Sequence, residues 1–147
     1  MNKVEFDDHV ERVSELLVPE VGDEKYLAIV EGTGWPTALD GVFNESAKFS
    51  YGESDTYNDQ SALALPGVSS GGGVAGHKKR LAIGDIDGRG VLRLGRMHPY
   101  EGAPFAVRVV MAALRDRIDG VIVTNGVGSF AGRCYKFRRF CKRRNGA

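Results

Sequence analysis

The chain has 147 residues, of which 42% are apolar and 27% charged, and these values fit one globular domain that buries a core without disulfide bonds. No apolar stretch approaches membrane-spanning length, and the N-terminal segment carries acids where a signal peptide needs an apolar run. We therefore expect a cytoplasmic protein that has no membrane partner and keeps Cys134 and Cys141 as free thiols.

The net charge of +1 hides an uneven distribution of charge. Residues 133–147 contain seven of the 20 Lys and Arg residues and no acid, so residues 1–132 carry a net charge of −6. The sequence therefore combines an acidic body with a strongly basic C-terminal segment.

The first predicted element is an amphipathic helix over residues 3–18. Its apolar residues recur every three or four positions and form one stripe: Phe6, Val10, Val13 and Leu17. Pro19 and Gly22 should end this helix. Residues 26–30 are a nearly continuous apolar run, which is typical of a strand covered on both faces.

The middle of the chain is harder to interpret. Residues 40–76 alternate short strand-like pieces, such as 47–52, with polar and glycine-rich runs, and we expect long loops there. Residues 80–95 predict a β-hairpin with its turn at Asp87 and Gly88.

A helix over residues 103–117 and a buried strand over residues 121–124 complete the pattern. This succession predicts an α/β fold with a mixed, largely buried sheet flanked by helices. Polar residues and glycines gather directly after two strand ends, at 32–34 and 124–128. In open α/β sheets, ligands bind at such positions.

Residues 95–102, with the sequence GRMHPYEG, concentrate four reactive side chains. Arg96 offers a forked cation that suits phosphate, and His98 can hydrogen-bond a hydroxyl or an oxyanion. Tyr100 offers a phenol and an apolar face, and Glu101 could orient its neighbours. An ion-paired turn is the structural alternative, but Gly, Pro and Gly around four polar groups favour a functional site.

Three further segments offer amides, hydroxyls or cations: Gly32-Thr33-Gly34, Gly76-His77 with Arg80, and Thr124 to Gly128. Singly, they have structural explanations: a tight turn, a solvated basic loop and a strand exit. For the first two segments that explanation is the simpler one. Together with residues 95–102 they converge on an anion, and no cluster of Asp, His and Cys ligands predicts a metal.

In this order, and at approximately these spacings, the four segments resemble those of the trimeric purine nucleoside phosphorylases and the related methylthioadenosine phosphorylases. That family carries a G-S-G or G-T-G loop, then P-G-H-x-x-R-L, G-R-x-H-x-Y-E-G and T-N-A-A-G. Here the segments read GTG (32–34), AGHKKRL (75–81), GRMHPYEG (95–102) and TNGVG (124–128). The resemblance covers roughly residues 26–130.

The resemblance implies a nucleoside-phosphorylase-like α/β domain over residues 1–130, followed by a basic tail over 131–147. It also implies roles for particular residues. Those around inorganic phosphate would be Thr33, His77, Arg96, His98 and the amide of Gly126; Tyr100 would contact the ribose, and Val127 and Gly128 the purine. The catalytic groups among them would be Arg96, His98 and Tyr100.

The reaction implied is phosphorolysis of a purine nucleoside to the free base and a pentose 1-phosphate, a glycosyltransferase reaction of purine salvage. Its oxocarbenium-like transition state needs an anion held beside the sugar. The resemblance implies phosphate as co-substrate, no other cofactor, no metal and a homotrimer.

The sequence departs from the family in two ways. Chains of the family are much longer, and their second half supplies the Glu and Asn that hold the purine, a Met under the sugar and a His at a sugar hydroxyl. We therefore expect an apparently truncated fold whose open sheet edge after residues 121–125 favours oligomers or a second chain that carries the missing half. In addition, Val127 replaces Ala in the T-N-A-A-G segment and should crowd the base.

The basic tail has three explanations. It is an out-of-frame remnant, a basic arm for nucleic acid or an acidic partner, or a short helix that caps the sheet edge. We favour truncation or divergence, and we regard nucleic-acid binding as the weakest alternative. Two alternatives to an active phosphorylase therefore remain: a catalytically incomplete phosphate- or nucleoside-binding remnant, and a partner-binding protein that acts through the tail.

Overall fold

The computed structural model describes residues 1–32, 35–52, 62–68, 79–97 and 105–124. The helices are α1 (Lys3–Val21), α2 (Trp35–Ala38) and α3 (Ala106–Ala113), and a 3₁₀ turn spans Arg115–Arg117. The strands are β1 (Tyr26–Glu31), β2 (Asn44–Ser50), β3 (Arg80–Ile86), β4 (Arg89–Gly95) and β5 (Ile118–Val123). No helix within these ranges is both long and apolar enough to cross a membrane.

The five strands form one mixed sheet in the order β2-β3-β4-β1-β5. β1 runs parallel to both β4 and β5, whereas β3 runs antiparallel to both β2 and β4. The helices and this sheet make a single compact α/β domain, which confirms the predicted fold class.

Helix α1 begins with a capping box. The Asn2 side chain accepts the Glu5 backbone N–H at 3.0 Å, and the Glu5 carboxylate accepts the Asn2 N–H at 3.1 Å. These bonds satisfy amides that a helix start leaves unpaired. Further along, Val13 and Leu17 of the predicted stripe are fully buried.

The prediction that Pro19 ends α1 is wrong. The helix continues through Pro19 to Val21, whose side chain is buried in the core. The Gly22 N–H then donates to the Val18 carbonyl at 3.0 Å. A proline in the last turn removes one helical hydrogen bond, and we attribute the extra turn to the burial of Val21, which offsets that loss.

The hairpin over residues 80–95 is confirmed. β3 and β4 pair antiparallel, and the turn lies at Asp87 and Gly88, with φ of 50° and 76°. Both angles lie in the left-handed region, which Asp and Gly tolerate better than other residues. The Asp85 carboxylate also accepts the Gly88 N–H at 3.1 Å.

Part of the region in which we expected long loops is regular strand. β2 pairs antiparallel with β3, and its Phe49 is buried. Along β2, one side chain is buried in the core and most of the others are exposed to solvent, so buried and exposed positions alternate only weakly. That weak alternation explains why the sequence pattern predicted only a strand-like piece at 47–52.

The C-terminal elements are placed as predicted, with different boundaries and a different environment. α3 is shorter than the predicted 103–117 within the described residues, and β5 starts three residues before the predicted 121. The prediction that residues 121–124 form a buried strand is wrong for Val121, Ile122 and Val123, which are 49%, 37% and 67% exposed. β5 pairs with β1 on one side and is one of the two outermost strands of the described sheet, the other being β2.

The two faces of the sheet are covered differently. One face packs on α1 and α3 through a core that includes Leu17, Leu81, Leu92, Leu94, Val109 and Val110. Because side chains alternate along a strand, Glu31 and Arg93 lie on the opposite face. There the connection between α2 and β2 covers the sheet, with Phe43 beside Arg93.

Candidate functional site

The described ends of all four segments that the sequence analysis selected lie at one edge of the sheet. The parallel strands β1, β4 and β5 end at this edge, at Glu31, Gly95 and Val123. β3 is antiparallel to β4, so it begins here at Arg80. We call this the carboxyl edge, and it is where ligands bind in open α/β sheets.

Of the residues to which we assigned roles, Arg96 is described. It follows β4 directly, is partly exposed, and its backbone N–H donates to the Glu31 carbonyl at 3.3 Å. The other residues lie outside the described ranges, and their roles stay predictions: Thr33, His77, His98, Tyr100, Gly126, Val127 and Gly128.

Thr124 fastens the end of β5 to the end of β1. Its hydroxyl accepts the Gly32 N–H at 2.8 Å and donates to the Val30 carbonyl at 3.0 Å. The Thr124 N–H also donates to the Val30 carbonyl, at 3.0 Å. Because Thr124 is 2% exposed, these bonds satisfy polar groups that water does not reach. The first and fourth segments are thereby joined directly.

A buried ion pair lies just beneath this edge. Arg93 Nε donates to Glu31 Oε1 at 2.5 Å, and each side chain is 3% exposed. Arg93 also reaches Asp40 Oδ1 at 3.4 Å, and its guanidinium lies 4.9 Å from the centre of the Phe43 ring. Burying charges this deeply is unfavourable unless they are paired, as they are here.

Sequence reasoning missed this pair. A signal was available, because Glu31 is an acid at the last position of an apolar strand and Arg93 is a cation inside another. What the sequence could not show is that β1 and β4 are neighbours, with Ile29 opposite Arg93 and Glu31 opposite Gly95.

Tyr51 contributes a second buried polar group near this edge. It follows β2, its side chain is fully buried, and its hydroxyl has no hydrogen-bond partner among the described residues. Burial raises the pKa of Tyr51, and the nearby Glu31 carboxylate raises it further. The phenol therefore stays protonated well beyond neutral pH.

The described part of the edge has an excess of positive charge. Glu31 and Asp40 both pair with Arg93, while Arg80 and Arg96 are two further cations at this edge. Within the described ranges, neither Arg80 nor Arg96 forms an ion pair with a carboxylate. These ranges also contain no group of three or more His, Cys, Asp or Glu residues that could hold a metal ion.

A groove of about 730 Å³ lies elsewhere, between α1 and the end of α3. Apolar residues of both helices line it, including Phe6, Val10 and Ala112, together with acids such as Glu11 and Glu15. Its lining contains none of the segments at the carboxyl edge, so the candidate site rests on the strand ends and not on this groove.

Comparison with known proteins gives no further guide to the site. No protein-family model matches the chain, and no curated protein matches it.

Proposed function

We propose that the chain is a purine nucleoside phosphorylase-like protein that binds inorganic phosphate and a purine nucleoside at the carboxyl edge. The observation that carries the proposal is that four segments, distant in sequence, have their described ends on one edge of the sheet. Their motifs resemble those of the phosphorylases, and the cations of the described part of that edge suit an anionic substrate.

In the proposed reaction, a phosphate oxygen attacks C1′ of the nucleoside. The bond from C1′ to the purine nitrogen breaks, the new bond from C1′ to oxygen forms, and the base leaves with its bonding electrons and takes up a proton. Arg96 would hold phosphate through its guanidinium, with Thr33, His77, His98 and the amide of Gly126 around it. Holding phosphate beside the developing sugar cation stabilises the transition state without a further cofactor.

A second candidate function is binding without turnover, or turnover that needs further protein. The exposed apolar strand β5 favours it, because Val121 and Val123 leave the edge of the described sheet available for pairing. A second copy, as in a homotrimer, or a second chain could pair there and supply groups that hold the purine.

The test measures hypoxanthine release from inosine, with and without phosphate, using the purified full chain. The variant Arg96→Ala should abolish phosphate-dependent release. Arg89→Ala is the matched control, because Arg89 is an exposed cation at the opposite end of β4, where it pairs with Asp119. Phosphate titration monitored by calorimetry accompanies the assay.

Three outcomes are distinguishable. Release that needs both phosphate and Arg96 supports the enzyme. Phosphate binding that needs Arg96 without release supports the binding protein. If phosphate neither binds nor changes the rate of release, the proposed function is wrong.

A further inference from the structure

The feature that the resemblance leaves unexplained is Arg93. It lies in the middle of β4, and its side chain is 3% exposed on the face opposite α1 and α3. A buried guanidinium is retained only where several acceptors surround it. The described partners of Arg93 come from two separate segments of the chain, one before and one after residues 32–34.

The partner before residues 32–34 is Glu31, the last residue of β1. Its carboxylate accepts Arg93 Nε at 2.5 Å, and its backbone carbonyl accepts the Arg96 N–H at 3.3 Å. Glu31 is therefore held by both its side chain and its backbone, and Gly32 follows it with its N–H bound to Thr124. The end of β1 is therefore fixed as far as Gly32.

The partners after residues 32–34 are Asp40 and Phe43. Asp40 Oδ1 lies 3.5 Å and 3.4 Å from the two terminal nitrogens of Arg93, and the Phe43 ring lies beneath the same guanidinium. Phe43 also packs closely on Gly84 of β3. The connection that follows α2 is therefore anchored to the sheet through Arg93.

We infer that Arg93 is a positioning residue that clamps the two segments flanking the glycine loop 32–34, Glu31 on one side and Asp40 with Phe43 on the other. The planar fork of arginine reaches both carboxylates and stacks on a ring at once, which lysine cannot do. Because Arg93 is paired with both Glu31 and Asp40, its charge is committed to the clamp, and Arg96 remains available for an anion. The consequence for phosphate rests on the proposed function, whereas the clamp itself does not.

Amide hydrogen exchange of the full chain over residues 32–43, without any ligand, tests the clamp. Asp40→Ala should speed exchange there by about tenfold, which corresponds to about 1.4 kcal/mol of lost local stability. Asp40→Glu keeps the charge and should restore most of the protection. Asp40 is 52% exposed, so neither variant should prevent folding.

Arg93→Lys should also speed exchange over residues 32–43, because lysine can keep the pair with Glu31 but not the contacts with Asp40 and Phe43. Asp119→Ala is the control, since Asp119 pairs with Arg89 at the opposite end of the sheet. Two results for Asp40→Ala would overturn the clamp. One is exchange that rises equally across the whole sheet, and the other is exchange over residues 32–43 that stays at the wild-type rate.

Phosphate titration separates this inference from the proposed function. If wild type binds phosphate, Asp40→Ala should weaken binding about three- to tenfold while the melting temperature changes little, and Asp40→Glu should restore it. If wild type does not bind phosphate but Asp40→Ala still speeds local exchange, the clamp stands and the proposed function fails.

Discussion

Thr124 and Gly32 join the ends of two parallel strands through one short hydrogen bond, from the Gly32 N–H to the Thr124 hydroxyl at 2.8 Å. The same hydroxyl donates to the Val30 carbonyl, so it acts as acceptor and donor at once. Gly32 opens the predicted phosphate loop, and Thr124 opens the fourth segment of the candidate site.

Thr124→Val should therefore destabilise the protein and loosen the carboxyl edge. Valine has nearly the same shape, but it leaves the Gly32 N–H and one lone pair of the Val30 carbonyl unsatisfied in a site that water does not reach. We expect the free energy of unfolding to fall by about 1–3 kcal/mol in urea titrations. Thr124→Ser keeps the hydroxyl and should lose less than half as much; equal losses in both variants would contradict the hydrogen-bond explanation.

Gly84→Ala should destabilise the sheet through a direct clash. A Cβ at Gly84 would lie 2.0 Å from the Asn44 carbonyl oxygen and 2.7 Å from the tip of the Phe43 ring. The first neighbour is backbone, so relief requires movement of β2 against β3. We expect a loss of about 1–3 kcal/mol or more in the free energy of unfolding.

Gly41→Ala is the matched control for this substitution. Nothing lies within 4 Å of a Cβ at Gly41. The same chemical change should therefore shift the free energy of unfolding by less than about 0.5 kcal/mol. Similar melting temperatures for the two variants would show that the close approach at Gly84 is not a constraint.

Tyr51 should make the protein less stable at alkaline pH. Burial raises the pKa of Tyr51 in the folded state above the unfolded value of about 10. Above that value the unfolded chain releases the phenolic proton while the folded chain retains it, so this contribution to stability is full below pH 10 and falls as pH rises further.

Tyr51→Phe removes the phenol that titrates and so tests whether Tyr51 causes the loss of stability at alkaline pH. At pH 7 the variant should be as stable as wild type within about 1 kcal/mol, because the hydroxyl has no partner among the described residues. Between pH 9 and 11, denaturant titrations should show a shallower loss of stability than in wild type. Parallel stability curves over that interval would argue against a buried, protonated Tyr51.

Val123→Lys should reduce self-association through β5. Val123 is 67% exposed on β5, an edge strand of the described sheet, and a lysine on an edge strand discourages pairing with another strand. Sedimentation velocity over a range of protein concentrations should show less association than in wild type. Val42→Lys is the control, since Val42 is 54% exposed but lies before β2 and not in β5. If association is unchanged in Val123→Lys, the β5 edge is excluded as the contact.

The sequence predicted the elements whose signal is local. The stripe of α1 and the hairpin turn at Asp87 and Gly88 depend on residues a few positions apart, so both are confirmed. The end of α1 could not be predicted from Pro19, because the burial of Val21 depends on the sheet beneath it. The apolar sequence of β5 likewise suggested burial, which depends on what lies next to the strand and not on the strand itself.

The sequence by itself predicted which segments would bind an anion: the glycine loop, the segment with His77 and Arg80, the octet with Arg96, and the segment that begins at Thr124. Only the tertiary structure decided that these segments attach to one edge, because that depends on β1 running parallel to β4 and β5. It also decided that Glu31 and Arg93 form a buried pair although 62 positions separate them. Spacing along the chain carries no information on strand order, whereas the register between neighbouring strands brings distant charges together.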